Sequence, residues 1–124
     1  MTCRASKSVL APGSWTLTGS MTTAREGHQA VLLTSAEVLV AGGINASGTL
    51  ASAELYDPST GAWTATGSMI TARSNFSLTL LPDGEVFVTG GFQSGKRAYS
   101  TAALYDPFNR PVYAGKRAVQ LLGI

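Results

Sequence analysis

Cysteine and histidine are nearly missing from this chain, which has one of each among its 124 residues, Cys3 and His28. A single cysteine excludes an internal disulfide and any zinc site built from cysteines. A single histidine cannot supply a site made of several imidazoles. We therefore expect neither a bound metal nor a cofactor.

Charged residues are also scarce, at 13% of the sequence, and the net charge is only +2. The nine lysines and arginines are scattered along the chain, whereas a nucleic-acid site needs them on one face or stripe. No apolar run approaches the roughly 18 residues of a membrane span. The run Val9-Leu10-Ala11 is shorter than the roughly 7 to 15 residues of a signal-peptide core. We expect a soluble chain with no nucleic-acid or membrane partner, and its compartment stays open.

What the chain does contain is an internal repeat. The residues WTLTGSMTTAR that begin at Trp15 return as WTATGSMITAR at Trp63, 48 residues later. A repeat of this length cannot bury its own apolar faces, so it must stack on copies of itself. With 44% apolar residues and 14 glycines, the chain fits a folded protein of short strands and tight turns. The period indicates an architecture and says little about chemistry.

Each period predicts four short β-strands. In the second copy Pro82-Asp83-Gly84 separates two apolar, β-branched runs, as in a β-hairpin, because Pro presets φ and Gly accepts a positive φ. In the first copy Asp57-Pro58 makes a further turn, where Asp can bond the backbone two residues on and Gly61 can adopt the left-handed conformation. The predicted strands of the first copy are His28 to Thr34, Val38 to Gly42, Ala53 to Tyr56 and Ala62 to Thr66. Four antiparallel strands in about 48 residues form one propeller blade.

The order of these features resembles the kelch motif. In the first copy Gly42-Gly43 closes a strand, Tyr56-Asp57-Pro58 turns the chain, Trp63 follows, and Met69 precedes the next arginine. The resemblance covers residues 14 to 107, is to kelch repeats of the bacterial type, and has the central propeller of galactose oxidase as a distant relative. It implies an all-β fold of kelch-type β-propeller blades, each a four-stranded antiparallel sheet.

Glycine pairs and tryptophans have structural interpretations within this motif. No helix pattern follows the pairs Gly42-Gly43 and Gly90-Gly91, so close backbone approach or a bulge explains them better than a phosphate-binding loop does. Trp15 and Trp63 are too large for an isolated blade to cover, and we expect them at the seams between neighbouring blades.

Strand counting predicts an incomplete ring of about two blades. Residues 1–13 are expected to be irregular, 14–67 to hold an orphan Trp15 strand plus a complete blade, 68–107 to hold three strands of a second blade, and 108–124 to form a divergent tail. A propeller needs about four to eight blades to close. Two explanations stay open: a fragment of a larger propeller, or a head-to-tail homo-oligomer in which the Trp15 strand of one copy completes the next copy's blade.

Arg25 and Arg73 occupy the same position of the repeat, just before the innermost strand. In kelch propellers, which this chain resembles, loops entering that strand lie near the axis on a face often used for ligands. The resemblance thus implies that both arginines point at an acidic peptide or a sugar carboxylate. The alternative is a structural role in which each arginine ties adjacent blades through Asp, Glu or backbone carbonyl oxygens.

The longest variable segments, Ile44 to Leu50 and Phe92 to Tyr99, connect the second and third strands of each copy. Loops carried on a rigid scaffold usually hold binding specificity. The candidate residues of the second loop are Phe92, Lys96, Arg97 and Tyr99. They offer an apolar anchor, two cations and an aromatic ring. The alternative is a solvated loop with no partner.

Three hypotheses for function follow. The first is a non-enzymatic scaffold that binds a protein or glycan partner through these loops. The second is a part of a galactose oxidase-like propeller enzyme whose catalytic residues lie outside this chain, because no Ser-His-Asp set, paired carboxylates or metal-ligand spacing is present. The third is a fragment with no autonomous function.

Overall fold

The described part of the chain, in a computed structural model, comprises residues 12–108, 112–113 and 116–117, and its regular secondary structure is entirely β. The strands of these residues are β1 Gln29–Leu32, β2 Val38–Ala41, β3 Ile44–Asn45, β4 Gly48–Thr49, β5 Ala53–Asp57, β6 Ala62–Thr66, β7 Ser77–Leu80, β8 Val86–Thr89, β9 Ala102–Tyr105, β10 Val112–Tyr113 and β11 Lys116–Arg117.

Blade 1 is the four-stranded antiparallel sheet β1-β2-β5-β6. Its four strands confirm the four predicted from the first copy of the repeat. The first strand ends earlier than predicted because the hairpin closes at Leu33, whose N–H donates to Glu37 O at 2.8 Å and whose carbonyl accepts from Ala36 N at 3.0 Å. The Asp57 turn also forms as expected, since its carboxylate accepts from the N–H of Ser59 at 2.9 Å, and Gly61 adopts φ 75°.

Blade 2 is the three-stranded antiparallel sheet β7-β8-β9. β10 and β11 form a separate hairpin and do not supply this sheet with a fourth strand. The described residues therefore form an all-β structure of two blades, one with four strands and one with three, which confirms the predicted incomplete ring of about two blades.

The apolar core lies between the two blades. Its buried members are Leu33, Leu39, Ala41 and Ala53 from blade 1 and Phe76, Val86 and Val88 from blade 2. β1 contacts β7, as the inner strands of neighbouring blades do in a propeller. Val86 and Leu39 are the most completely covered side chains, and burying such a side chain contributes about 1.5–3 kcal/mol. Each blade is thus stabilised chiefly by its neighbour.

Three of the four paired glycines, Gly42, Gly43 and Gly91, lie where backbones approach closely, as the sequence predicts. Gly42 has φ 67°, and a Cβ there would lie 2.6 Å from both Arg73 O and the Phe76 ring. The next residue, Gly43, donates its N–H to Arg73 O at 3.0 Å. A side chain at Gly42 would therefore push blade 2 away from blade 1.

The outer face of blade 2 is open where the matching face of blade 1 is covered. Leu39 of β2 is 2% exposed, whereas Phe87, its counterpart in β8, is 38% exposed. Leu55 of β5 is half-buried, and its counterpart Leu104 in β9 is 49% exposed. Blade 2 therefore presents an apolar face of the kind that packs against a further blade.

The two tryptophans differ in environment. Trp63 is half-buried, donates Nε1–H to Gly19 O at 2.8 Å, and places its ring 4.9 Å from that of Tyr56. Trp15 is 97% exposed. The strand predicted around Trp15 is not formed, since residues 14–20 are not in a strand. No neighbouring strand within the described ranges supplies the backbone bonds that would define one.

Several predicted boundaries concern residues that the structure does not describe. Most of the segment 1–13, including Cys3, and most of the tail 108–124 lie outside the described residues. The division of the chain at residues 13, 67 and 107 remains a prediction.

Candidate functional site

Arg25 anchors the connections inside blade 1. Its Nη1 donates to the carbonyl oxygens of Gly42 at 2.8 Å and Ser52 at 3.0 Å. Its Nη2 donates to Ser52 Oγ at 3.2 Å and to Glu54 Oε2 at 3.1 Å, the latter as a buried ion pair. A guanidinium suits this place because its fixed fork of N–H donors can serve several acceptors at once. The Arg25 side chain is directed inward, to structural acceptors.

Glu54 is held as a carboxylate by three donors. Besides Arg25, the backbone N–H groups of Thr22 and Thr23 donate to it at 2.9 and 3.1 Å. Burial by itself raises the pKa of Glu54, but these hydrogen bonds together outweigh burial and leave the pKa below its ordinary value. Glu54 therefore stays ionised inside the fold.

Arg73 repeats this anchor and also joins the two blades. Its side chain donates to Gly90 O at 2.7 Å, to Thr101 O at 3.2 Å and to Thr101 Oγ1 at 2.9 Å, all in blade 2 or its connections. Its backbone is bonded to blade 1 instead, since its N–H donates to Leu50 O and its carbonyl accepts from Gly43 N. The residue corresponding to Glu54 is Ala103, so Arg73 has no carboxylate from β9.

Tyr99 takes part in the environment of Arg73. The Arg73 guanidinium carbon lies 5.1 Å from the centre of the Tyr99 ring, a cation–π contact. The Tyr99 hydroxyl donates to Gln93 Oε1 at 3.0 Å, and its backbone N–H donates to Gly91 O at 2.8 Å. Tyr99 thus closes the 92–99 loop onto the arginine.

The 92–99 loop is fixed at its base and exposed at its tip. Ser74 and Phe92 exchange two backbone hydrogen bonds of 2.9 and 3.1 Å, and the Phe92 side chain remains 37% exposed. Ser94 N–H donates to Thr49 Oγ1 at 3.0 Å, which links this loop to the loop of blade 1. At the tip, Lys96 and Arg97 are exposed. The loop presents one aromatic ring and two cations from an anchored backbone.

The structure therefore divides the six residues selected from the sequence. It brings Arg73 and Tyr99 together at the seam. It places Phe92, Lys96 and Arg97 on the exposed loop. It leaves Arg25 apart from them, buried in blade 1 against Glu54.

Sequence reasoning missed a pair of seam hydrogen bonds. The hydroxyl groups of Thr18 and Tyr56 lie 2.7 Å apart, and so do those of Thr66 and Tyr105. The signal was available, because a threonine follows each tryptophan by three residues and a tyrosine precedes each Asp-Pro. Glu54 was also missed, since it is not repeated in the second copy.

Two kinds of feature are absent from the described residues. They contain no group of three or more His, Cys, Asp or Glu side chains placed to hold a metal ion. Within the same residues no helix has the length and apolar character needed to cross a membrane.

Comparison with known proteins identifies the repeat. Residues 37–70 match the family model of the kelch motif, and this segment runs from the turn before β2 to the connection after β6. No curated protein matches the chain. The second copy repeats the sheet order, the arginine anchor and the threonine–tyrosine seam bond of the matched blade. On this basis, the chain contains a kelch motif at residues 37–70, and its second blade is built in the same way.

Proposed function

We propose that these two kelch blades form a protein-binding module whose contact surface is the 92–99 loop. The observation that carries this proposal is the combination of exposed Phe92, Lys96 and Arg97 on a loop with a fixed base. An aromatic anchor on the same loop as two cations suits a partner that offers an apolar side chain and carboxylates. The expected partner is an acidic protein segment, and no catalytic step is assigned to the loop.

The fixed base supports this proposal energetically. A loop already held in one conformation loses less conformational entropy on binding than a free loop does. The backbone bonds of Phe92, the Ser94–Thr49 bond and the Tyr99–Gln93 bond all restrict the loop before a partner arrives. The variable residues are thereby presented on a scaffold that the partner need not organise.

Removing the two cations should weaken binding to acidic peptides. We expect the double variant Lys96→Ala/Arg97→Ala to lower affinity by about tenfold, since each exposed charge pair contributes about 0.2–1 kcal/mol. A synthetic peptide array followed by calorimetry on the best acidic peptide measures this. The matched control is the double variant Thr64→Glu/Thr79→Glu. It changes the net charge by the same amount, at exposed positions of β6 and β7. Equal loss in both variants would contradict a role for the loop.

Two alternative functions, glycan binding and enzymatic activity, can be tested with the same purified protein. A glycan array tests the sugar alternative, for which Arg97 and Tyr99 would supply a cation and a stacking ring. The enzymatic alternative, a part of a galactose oxidase-like propeller, would be favoured by a copper signal in the purified protein. Peptide binding with neither of these results supports the protein-binding module.

A second proposal is head-to-tail assembly of this chain with itself. In blade 1, Trp63 lies opposite Tyr56 and Thr66 opposite Ala53. The same register would place Trp15 of one copy opposite Tyr105 of another, as the fourth strand of blade 2. Trp15 and Leu17 are 97% and 98% exposed, and the outer face of blade 2 is apolar and open. Three copies would then give about six blades, within the usual range for a propeller.

Trp15→Ala should dissociate such an assembly. Because Trp15 is exposed in the single copy, the substitution should leave the fold intact and shift the sedimentation coefficient to that of the monomer. Ile70→Ala is the matched control, since Ile70 is also 97% exposed and lies outside the proposed pairing. A wild-type chain that sediments as a folded monomer at high concentration would rule out assembly.

A further inference from the structure

The two blades differ at one inward-facing position of their third strands. Glu54 of β5 lies opposite Val40, and Ala103 of β9 lies opposite Val88. Val40 and Val88 are equivalent in the repeat, so Glu54 and Ala103 are equivalent too. The second blade lacks a carboxylate where the first blade has one.

The donors that bind this carboxylate are nevertheless retained. In blade 1 they are the N–H groups of Thr22 and Thr23 and the Nη2 of Arg25. Their counterparts in the repeat are the N–H groups of Ile70 and Thr71 and the Nη2 of Arg73. The chain bends at 22–23 and at 70–71 alike, so both sets of donors are carried on the same local backbone shape.

The Arg73 guanidinium is held in the same way as that of Arg25. Gly90 O, Thr101 O and Thr101 Oγ1 accept from it, just as the corresponding atoms of Gly42 and Ser52 accept from Arg25. Arg73 is only 2% exposed. Its position is therefore set without help from a carboxylate.

A cavity lies where the carboxylate is missing. Its volume is about 210 Å³, and its lining includes Ile70, Thr71, Arg73, Thr101 and Ala103. In the described part of the chain, the N–H groups of Ile70 and Thr71 make no hydrogen bond, and Arg73 forms no ion pair. Ile70 is 97% exposed, so the cavity has a solvent-accessible rim. Ile70 is solvent-exposed and Arg73 is buried, so an anion that entered from the rim would accept charge-assisted hydrogen bonds from these donors.

Tyr99 compensates the charge of Arg73 only in part. Its ring replaces Leu50 of the first copy and lies over the guanidinium at 5.1 Å. An aromatic face attracts a cation but offers no carboxylate lone pairs to N–H groups. Tyr99 is also absent from the cavity lining, so it does not occupy the place of the missing group.

We propose that this cavity, between residues 69–71 and β9, is a binding site for a carboxylate group. Glu54 supplies the template: the ligand's two oxygens would accept from the N–H groups of Ile70 and Thr71 and from Arg73. The site is separate from the exposed tip of the 92–99 loop, and it does not depend on the function proposed for that loop. The carboxylate is either a small free acid or an acidic side chain of a peptide.

Acetate is the probe that tests this site, with blade 1 as an internal control. In an NMR titration at constant ionic strength, the N–H signals of Ile70 and Thr71 should shift saturably. Those of Thr22 and Thr23 should not, because Glu54 already occupies their site. Equal shifts at both pairs of residues, or no saturation at Ile70 and Thr71, would overturn the proposal.

Two substitutions should transfer the acetate response from one blade to the other. Ala103→Glu should abolish the acetate response at Ile70 and Thr71, and Glu54→Ala should create one at Thr22 and Thr23. An Ala103→Glu protein that is folded and still responds to acetate would also overturn the proposal. If this variant does not fold, the comparison of the two blades in the wild-type chain decides the question.

The source of the carboxylate is found by competition. A short peptide with one glutamate and the same peptide with glutamine are each added to the acetate-saturated protein. Displacement of acetate by the glutamate peptide alone identifies an acidic side chain as a ligand. Displacement by neither peptide restricts the site to small free acids.

Discussion

Arg25→Ala is expected to destabilise the fold by about 3–5 kcal/mol, because it leaves a buried carboxylate without its cationic partner. Glu54 would keep its two backbone donors, but the Gly42 carbonyl would lose its arginine donor and the Ser52 carbonyl would keep only the N–H of Gly42. A domain of this size has a free energy of unfolding of about 5–15 kcal/mol, so the loss is a large share of the total. Urea denaturation followed by tryptophan fluorescence measures it.

Arg73→Ala is the matched control for Arg25→Ala. It removes the same number of contacts to carbonyl groups, but no β9 carboxylate is left behind, since Ala103 stands at that position. We expect a clearly smaller loss than for Arg25→Ala. Equal losses would mean that the ion pair with Glu54 contributes little and that the carbonyl contacts dominate.

The difference in the free energy of unfolding between the wild type and Arg25→Ala should also become smaller in acid. The pKa of Glu54 is lower in the folded chain than the ordinary glutamate value of about 4.5. Its contribution to stability is therefore complete above about pH 4.5 and is lost as the pH falls through the folded pKa. In Arg25→Ala, Glu54 loses one of the hydrogen bonds that lower its pKa, so that variant loses less stability as the pH falls. Repeating the urea curves between neutral and acid pH tests this direction.

Gly42→Ala is expected to cost about 2–5 kcal/mol, from about 1–2 kcal/mol for a left-handed alanine and about 1–3 kcal/mol for overpacking. The new methyl group would lie 2.6 Å from Arg73 O and from the Phe76 ring. Neither neighbour can move freely, because Phe76 belongs to the inter-blade core and Arg73 O is bonded to Gly43 N. Thermal and urea unfolding of the variant measure the loss.

Gly90 provides the control for Gly42 within the same chain. It occupies the same repeat position with φ 74°, yet a Cβ there would meet nothing within 4 Å. Gly90→Ala should therefore cost only the backbone strain of about 1–2 kcal/mol. The difference between the two variants isolates the close contact between blades, and identical losses would show that no such contact constrains Gly42.

Most of the fold could be predicted from the sequence because the two copies of the repeat can be aligned, which shows the strands and turns that they share. The Pro82-Asp83-Gly84 and Asp57-Pro58 turns placed the strands, since Pro, Gly and Asp each have a specific conformational effect. What failed was the strand around Trp15. A strand is defined by a paired neighbour, and sequence pattern alone does not say whether that neighbour is present.

The candidate site was less predictable, for two physical reasons. The recurrence of Arg25 and Arg73 located an important position, but the direction of a long side chain depends on which acceptors surround it. Those acceptors include Ser52 and Glu54. Their counterparts, Thr101 and Ala103, lie 49 residues later instead of 48. The longer 92–99 loop causes this shift, so the missing carboxylate becomes visible only when strand register aligns the two blades.

The threonine–tyrosine bonds at the seams, Thr18 to Tyr56 and Thr66 to Tyr105, have a consequence for engineering. Each bond joins two residues of one 48-residue copy, 38 or 39 positions apart, so the coupling is local along the chain, as in a linear array with nearest-neighbour coupling. A duplicated 48-residue unit inserted at the seam would bring both halves of the bond with it. A designed descendant of this chain can therefore gain a blade together with its threonine–tyrosine bond by copying one segment.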